Sequence, residues 1–414
     1  MQEVFRGSFT QQEPIPEEAI AQAVEVLRSG RLHRYNTIAG ETSHAALLEL
    51  EFRDYVKARY CLAVASGGYA LTTVLRAIGL RHGQPVLTNS FTLAPVPGAI
   101  AAAGGRAVFV ETTEDLVIDL DDLSAKVESS GARILMLSHM RGHIADMEAL
   151  TALCDRTGIV MIEDCAHTMG AAWNGVMSGR HGIAGCYSTQ SYKHLNSGEG
   201  GLIVSDDAEL MARATVLSGS YMFYGRHPAG PPESSYSDIR LDTPNCSGRL
   251  DNLRAAILRP QLAKLAVNCA RWNERYHVVA EQIRSVPGVV LPRRPAAEQF
   301  VASSIQFRLP NFSAPAIQFF LSRCLSCGVD LKWFGADDPV GYTSSYRSWR
   351  YVQAQNLPKT DRVLATVCDL RLPLTLSLDD CRLIGAIIRT AALETLQATL
   401  KCAGESSIGI RDVS

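Results

Sequence analysis

Residues 186–207 read CYSTQSYKHLNSGEGGLIVSDD, and this stretch decides how the rest of the chain is read. A serine-bearing strand, a lone lysine in a polar turn, a Gly-Glu-Gly-Gly bend and a second strand follow in order. Some twenty residues upstream, the apolar run GIVMIED (158–164) ends in Asp164, within EDCAHTMGAAWNG. One segment thus offers a nucleophilic amine in a turn, and the other a carboxylate at a strand end.

That pairing suits pyridoxal phosphate. A lysine Nζ condenses with the cofactor aldehyde, and a carboxylate keeps the pyridine nitrogen protonated so that the ring draws electrons. The ordinary reading of Lys193 is a solvated surface lysine. Against it stand the glycine bend and the small polar side chains of the preceding strand. As the Schiff-base residue, Lys193 would hold the cofactor, yield it to an incoming amine, and then serve as the base that moves the proton. Asp164 is equally a helix N-cap, a role compatible with facing a ligand. His167 reads either as a partner of the cofactor 3′-oxygen or as a structural histidine.

Outward from this core, short apolar runs alternate with helix-like segments from about residue 60 to 205: CLAVAS, PVLTNS, AVFVET, RILMLSH, IVMIED, GCYSTQ and LIVSD. Such alternation predicts an α/β domain around a mostly parallel sheet, with ligands beyond the carboxyl ends of the strands. Five polar clusters fall at those ends: Ser66-Gly67-Gly68, Ser90-Phe91-Thr92, His139-Met140-Arg141-Gly142, Glu163-Asp164 and Ser188. VASGGYALTTVLRAIG (64–79) reads as strand, turn and helix. Its helix N-terminus is suited to a phosphate, with Gly67 and Gly68 in the turn and Ser188 as a second donor. Phe91 either stacks on a pyridine ring or belongs to the core.

The remainder is organised simply. Helices are expected in PEEAIAQAVEVLRSGR and AALLELEFRDYVKA. A long amphipathic helix kinked at Pro260 should start near residue 251 and lead to a smaller C-terminal α+β domain, with SSIQFRLP a strand and AIQFFLSRCLSCG a helix. The expected boundaries are an arm and cofactor domain over 1–250, the linking helix and small domain over 251–402, and a mobile tail over 403–414.

Composition excludes several classes. The chain has 414 residues, 47 % hydrophobic and 20 % charged, with a formal net charge of −2. Nothing in that balance calls for nucleic acid or an anionic membrane surface. No secretory signal and no uninterrupted apolar span stand out, so a cytoplasmic protein is expected. Eleven cysteines are scattered singly apart from Cys324 and Cys327, which read as packing thiols, and no metal site is expected.

Together these motifs resemble the DegT/StrS family of fold type I aminotransferases. The resemblance covers SGGYAL, SFTLAPVPGAI, SHMRGHIADM, EDCAHTMGA, YSTQSYKHLNSGEGG and GRLDNLRAAILRPQL, from about residue 16 to 275. It implies a fold type I enzyme with a large, mostly parallel α/β domain and a smaller C-terminal α+β domain. It also implies pyridoxal 5′-phosphate, with pyridoxamine phosphate as the alternate form. By position it makes Lys193 the Schiff-base lysine and Asp164 the pyridinium partner. His167 falls at the 3′-oxygen, Phe91 over the ring, and Gly67, Gly68 and Ser188 at the phosphate. The implied reaction moves an amino group from L-glutamate or L-glutamine to a ketone acceptor: a keto-sugar, cyclitol or specialised-metabolite precursor. The alternatives are another reaction on the same cofactor, such as elimination or decarboxylation, and a cofactor-binding regulator. A homodimer with shared active sites is implied too, with Arg31–Thr37 and the Asn245 region crossing between subunits.

The chain departs from that family in four places. Gly68 replaces a threonine. The family's Asn-Tyr-Arg appears as Ser247-Gly248-Arg249, with Asn245 two residues early, so either Asn245 or Ser247 would reach the neighbouring phosphate. Arg141 stands where an aromatic residue is usual, and would bind a substrate carboxylate or pair with Asp146. The stretch 330–352, DLKWFGADDPVGYTSSYRSWRYV, does not resemble the short Gly-x-x-x-x-x-Tyr loop of the family's sugar enzymes, and is either a dedicated acceptor pocket or packing.

Overall fold

The computed structural model describes residues 3–339 and 345–408, with 402–408 as backbone only. Helix α1 (Glu17–Ser29) begins after Pro16 and stops at Gly30 in the left-handed region, and α2 (His44–Val56) is capped by Ser43. Then come β1 (Tyr60–Val64), α3 (Gly67–Ala77), β2 (Pro85–Asn89), α4 (Pro95–Ala102), β3 (Arg106–Val110), α5 (Leu120–Ser130), β4 (Ile134–Ser138), α6 (Met147–Thr157) and β5 (Val160–Asp164). After the short strands β6 (Ala172–Trp173) and β7 (Val176–Met177), β8 (Ala184–Ser188) and β9 (Gly201–Ser205) complete a seven-stranded sheet in the order β1-β9-β8-β5-β4-β2-β3. Only β9 runs against its neighbours. The expected strands are all present, and the mostly parallel sheet is as the alternation predicts.

Alternate residues of each strand feed different cores. Cys61 and Ala63 of β1 join Met161 of β5 in one cluster; Leu62 and Val64 join Ile162 in another. A sheet buried on both faces explains why its strands read as continuous apolar runs. Both sheet edges are covered. The Gln355 side chain accepts from Phe109 N (2.8 Å) and donates to Ala107 O (3.1 Å) along β3. Along β1, Cys61 N donates to Ala229 O and Ala65 N to Gly248 O.

Beyond β9 run α7 (Ala208–Ser218), the short α8 (Ile239–Asp242), α9 (Asn252–Ala263) and α10 (Leu265–Ile283). The expected single helix kinked at Pro260 is two helices. Pro260 is accommodated inside α9, and the chain turns at Lys264, whose N–H tightens onto Gln261 O (3.0 Å). Strand β10 (Glu298–Gln299) pairs with β6. A small sheet orders β11 (Ser304–Arg308), β13 (Val367–Arg371) and β12 (Lys332–Trp333), with α11 (Ala314–Ser326), α12 (Pro358–Leu364) and α13 (Leu378–Ile408) around it.

The linking region is divided between cores. Leu258, Leu262 and Trp272 pack in the large one, whereas Tyr276, Val279 and Ile283 pack with β11, α11 and α13. Phe5 of the N-terminal arm also joins that second core. Cys324 and Cys327 are buried there as free thiols. Within α13, Leu378–Lys401 has the length and apolarity to cross a membrane. Its Cys381, Ile384 and Ile388 nevertheless lie in the small core. The helix is described to Ile408; the rest of the expected tail, 409–414, lies outside the described residues.

Candidate active site

Strand termini place the side chains. Asp164 closes β5 with its carboxylate nearly buried, and two tethers fix it. Its Oδ1 accepts from Ala166 N (3.1 Å), an Asx turn, and its Oδ2 accepts from Ser138 Oγ (3.0 Å). Ser138 in turn accepts from Thr92 Oγ1 (2.9 Å), so the ends of β2, β4 and β5 are laced together. Burial pushes the Asp164 carboxyl upward, opposed by the Ala166 amide and the Lys193 charge. A carboxylate so placed is favoured by a cationic N–H partner, which a pyridinium supplies.

Glu163, one residue earlier, points the opposite way. Fully buried, it is met by His139 Nε2 (3.0 Å) and accepts from the backbone N–H groups of Gly179 (2.9 Å), His181 (2.7 Å) and Gly182 (2.9 Å). Hydrogen bonds from His139 and His181 outweigh its desolvation and hold it well below the usual carboxylate range. Its work is to anchor the turn at 179–182 behind the site.

Lys193 lies in the β8–β9 connection, where its own N–H closes a turn on Gln190 O (2.8 Å). Its Nζ is 2.8 Å from His167 Nε2. Desolvation first, then the positive charges of Arg141 and Arg371, bring the lysine down to about 7. Burial and the same lysine keep His167 neutral. Near pH 7 the amine is therefore about half deprotonated, and the short contact joins it to a neutral imidazole. A nucleophilic lysine needs the deprotonated form.

The phosphate candidates also meet. A Cβ on Gly67 would lie 2.8 Å from Ser188 Cβ, so only glycine lets the N-terminus of α3 come this close to the β8 terminus. Ser66 caps that helix by accepting from Tyr69 N (3.1 Å). At Gly68 an added Cβ would meet only Pro95, at 3.9 Å, so the missing threonine is not excluded by space. Lys193, His167 and Asp164 form one group, and Gly67 and Ser188 a second.

Other expected residues are placed differently. Phe91 is 1 % exposed and meets Phe334 edge-on, with centroids 5.1 Å apart, in a cluster with Met140 and Val363. Its ring is core packing; Leu93, two residues on, is the half-buried side chain bordering that cluster. Arg141 does not pair with Asp146, whose carboxylate caps α6. Its Nη2 instead donates to Asp369 Oδ2 on β13 (2.8 Å). Asn245 Oδ1 accepts from Ser247 N (3.0 Å) and faces Ser247 Oγ (3.3 Å), on an exposed turn with Ser247 at φ 51°. In the 330–352 stretch, Tyr346 and Trp349 are buried against Phe109, and Trp333 Nε1 donates to Ala365 O (2.9 Å). That part is packing; 340–344 lies outside the described residues.

Sequence reasoning missed three residues at the site. Ser138 stood beside a named cluster, and its strand-end position was the available signal. Thr92 belonged to a named cluster but was given no part. Arg371 comes from the far small sheet, and no local pattern announces it.

The fold is that of fold type I pyridoxal phosphate-dependent aminotransferases. Within that class the chain belongs to the DegT/DnrJ/EryC1/StrS aminotransferase family, whose pattern it matches over residues 14–389. It is 32 % identical over 271 residues to a pleiotropic regulatory protein of Geobacillus stearothermophilus, covering 64 % of this chain and 65 % of that one. It is 31 % identical over 257 residues to the L-glutamine:2-deoxy-scyllo-inosose aminotransferase of Streptomyces fradiae, covering 61 % and 59 %. The chain thus spans about three fifths of the length of these relatives. Among solved structures, DesV of S. venezuelae superimposes with a TM-score of 0.73 at 27 % identity, covering 91 % of this chain and 94 % of that one.

Proposed function

We propose that this protein is a pyridoxal phosphate-dependent aminotransferase that takes an amino group from L-glutamate or L-glutamine and passes it to a ketone, in two half-reactions. One observation carries the reading: Lys193 Nζ sits 2.8 Å from a neutral His167, while Asp164 is laced to Ser138 beside it. When bound, the cofactor supplies an electron sink adjoining the reacting carbon. The protein's part is to keep that electron flow available and to move protons. Asp164 would hold the ring nitrogen charged. The turn at Gly67 and Ser188 would receive the phosphate. Lys193 would hold the cofactor aldehyde and, with its amine lowered to about 7, would serve as the base for the proton on the substrate Cα. His167 would steady the lysine between those two roles.

The S. fradiae relative is named for L-glutamine and a cyclitol ketone, which supports this donor and acceptor class. The relative named as a regulator raises the alternative of binding without turnover. The reactive lysine and its intact surroundings favour turnover. We place the protein in the cytoplasm as a homodimer, with the Asn245–Ser247 turn meeting the neighbour's phosphate.

Absorbance decides the matter. Protein mixed with pyridoxal phosphate should turn yellow, Lys193→Ala should not, and L-glutamate or L-glutamine should bleach the colour. A stable yellow protein indifferent to every amino acid would point to another reaction or to a regulator. No colour at all would end the reading.

A further inference from the structure

The small domain reaches the surroundings of Lys193 at two points, both from one face of β13. Asp369 and Arg371 lie two apart on that strand, so their side chains share a face. Asp369 Oδ2 accepts from Arg141 Nη2 (2.8 Å), just beyond the end of β4. Arg371 lays its guanidinium carbon 3.9 Å from the centroid of the Tyr192 ring. Tyr192 is the residue before Lys193, in the same turn.

That turn is held from within by its own polar groups. Lys193 N donates to Gln190 O (2.8 Å), and Tyr192 N donates to Gln190 Oε1 (3.0 Å). Those bonds fix the main chain but leave the Tyr192 side chain outside the large core, with the residue 39 % exposed. Its ring takes a partner from β13 instead. A flat guanidinium over an aromatic face gains cation–π attraction and is held in one orientation.

An arginine on a flexible stem has many places to put its charge, and the effect of a charge on its neighbours falls with distance. The ring settles that distance here. Arg141, Asp164 and Arg371 act on the Lys193 charge, and His167 and His194 adjoin it, both kept neutral by burial. Asp164 favours the charged amine and the two arginines oppose it. Arg141 is anchored by an ion pair with β13, whereas Arg371 is anchored by a ring that belongs to the lysine turn itself.

Resting on the aminotransferase reading, we propose that Tyr192 is a positioning residue: its ring docks Arg371 of the small domain beside Lys193, and so ties the readiness of that amine to the seating of the small domain.

Competitive labelling of cofactor-free protein with acetic anhydride tests this, read at the Lys193 peptide by mass spectrometry across the pH range. The midpoint of labelling against pH follows the amine without any reaction on the cofactor, and does not depend on how readily the reagent enters. It should lie at about 7 in the unmodified protein. Arg371→Gln and Tyr192→Ala should each raise it by about one unit, which slows labelling at neutral pH about fivefold. Combining them should do no more than either alone. Tyr192→Phe keeps the ring and should label as the unmodified protein does. Arg371→Lys, which keeps the charge but not the flat face, should fall between, and serves if the glutamine variant does not fold. A merely structural stack would lower the thermal unfolding midpoint of these variants and leave the labelling midpoint in place, which overturns the proposal. So does an ordinary lysine midpoint in the unmodified protein, a shift in only one of the two single variants, or shifts that add in the double. Pyridoxal phosphate and amino donors are given to the same proteins in parallel. If the unmodified protein stays colourless, or no donor bleaches it, the aminotransferase reading falls, while labelling still reports on the Tyr192–Arg371 stack.

Discussion

At the scale of single residues, the Lys193 amine has the most direct consequences. Its folded value near 7 lies below the ordinary lysine value of 10.5. Between those limits the unfolded chain holds a proton that the folded one has released. The stability of cofactor-free protein should therefore rise from about pH 7 to 10.5, the burial penalty being fully present below 7. Urea unfolding at pH 7 and pH 9, compared with Lys193→Met to cancel other titrations, should show the rise only in the unmodified protein. The rate of yellow colour formation should level off near pH 7 as well; a rise continuing to pH 10 would mean the lysine is unperturbed. Asp164→Asn should still form the coloured species but slow its bleaching by about 10²-fold or more, since a neutral amide cannot hold the ring nitrogen charged. Glu163→Gln removes a buried charge from under a histidine and three amides. A loss of about 3–5 kcal/mol is expected in denaturant unfolding.

At the scale of elements, α3 and the turn after α8 have exchanged a ring. A Cβ on Gly248 would fall 1.9 Å from Tyr69 Cζ, so the Tyr69 ring occupies the space of a side chain at 248. Where the family carries tyrosine at 248, this chain carries it at 69, with its hydroxyl donating to Leu217 O (3.0 Å). Gly248→Tyr alone should overpack the turn and cost about 1–3 kcal/mol, and adding Tyr69→Ala should recover most of it. Thermal unfolding of the two single variants and the double would show the non-additivity; simple addition would mean the rings never compete. This pair also marks what was legible. The β-strands and the Lys193 and Asp164 loops were readable because each is written within some twenty residues. The Tyr69–Gly248 exchange, the Arg141–Asp369 pair and the burial of Phe91 under Phe334 join segments about 180 to 240 residues apart. Local periodicity carries no trace of such contacts, and Phe91 looked like a ligand residue because its loop was read without the distant ring that covers it. The break at Lys264 was hidden by Pro260, the more obvious disruptor.

At the scale of the whole molecule, exposed apolar side chains collect where the homodimer is proposed. Ile38, Tyr221, Met222 and Phe223 are between 43 % and 63 % exposed, and Phe223 lies against Tyr35 with centroids 5.1 Å apart. Within the 31–37 segment, Arg34 and Tyr35 face inward. Arg34 forks Glu49 at 2.8 Å twice, and Tyr35 Oη meets His227 Nε2 (2.7 Å). That buried pair fixes the segment from within and leaves its outer side chains for a partner. Ile38→Asp with Met222→Asp should yield monomers in sedimentation velocity and weaken cofactor retention; a dimer that survives both would move the interface elsewhere. The two sheet margins have a different outcome in view. Open edges invite strands from other chains, the first step toward ordered aggregates. Here a glutamine side chain imitates a neighbouring strand along β3, and the backbone of Ala229 and Gly248 does the same along β1. The solubility of this protein during folding therefore depends on a residue far from the candidate site: until Gln355 docks, late in the chain, a newly made molecule carries one side open to polymerisation.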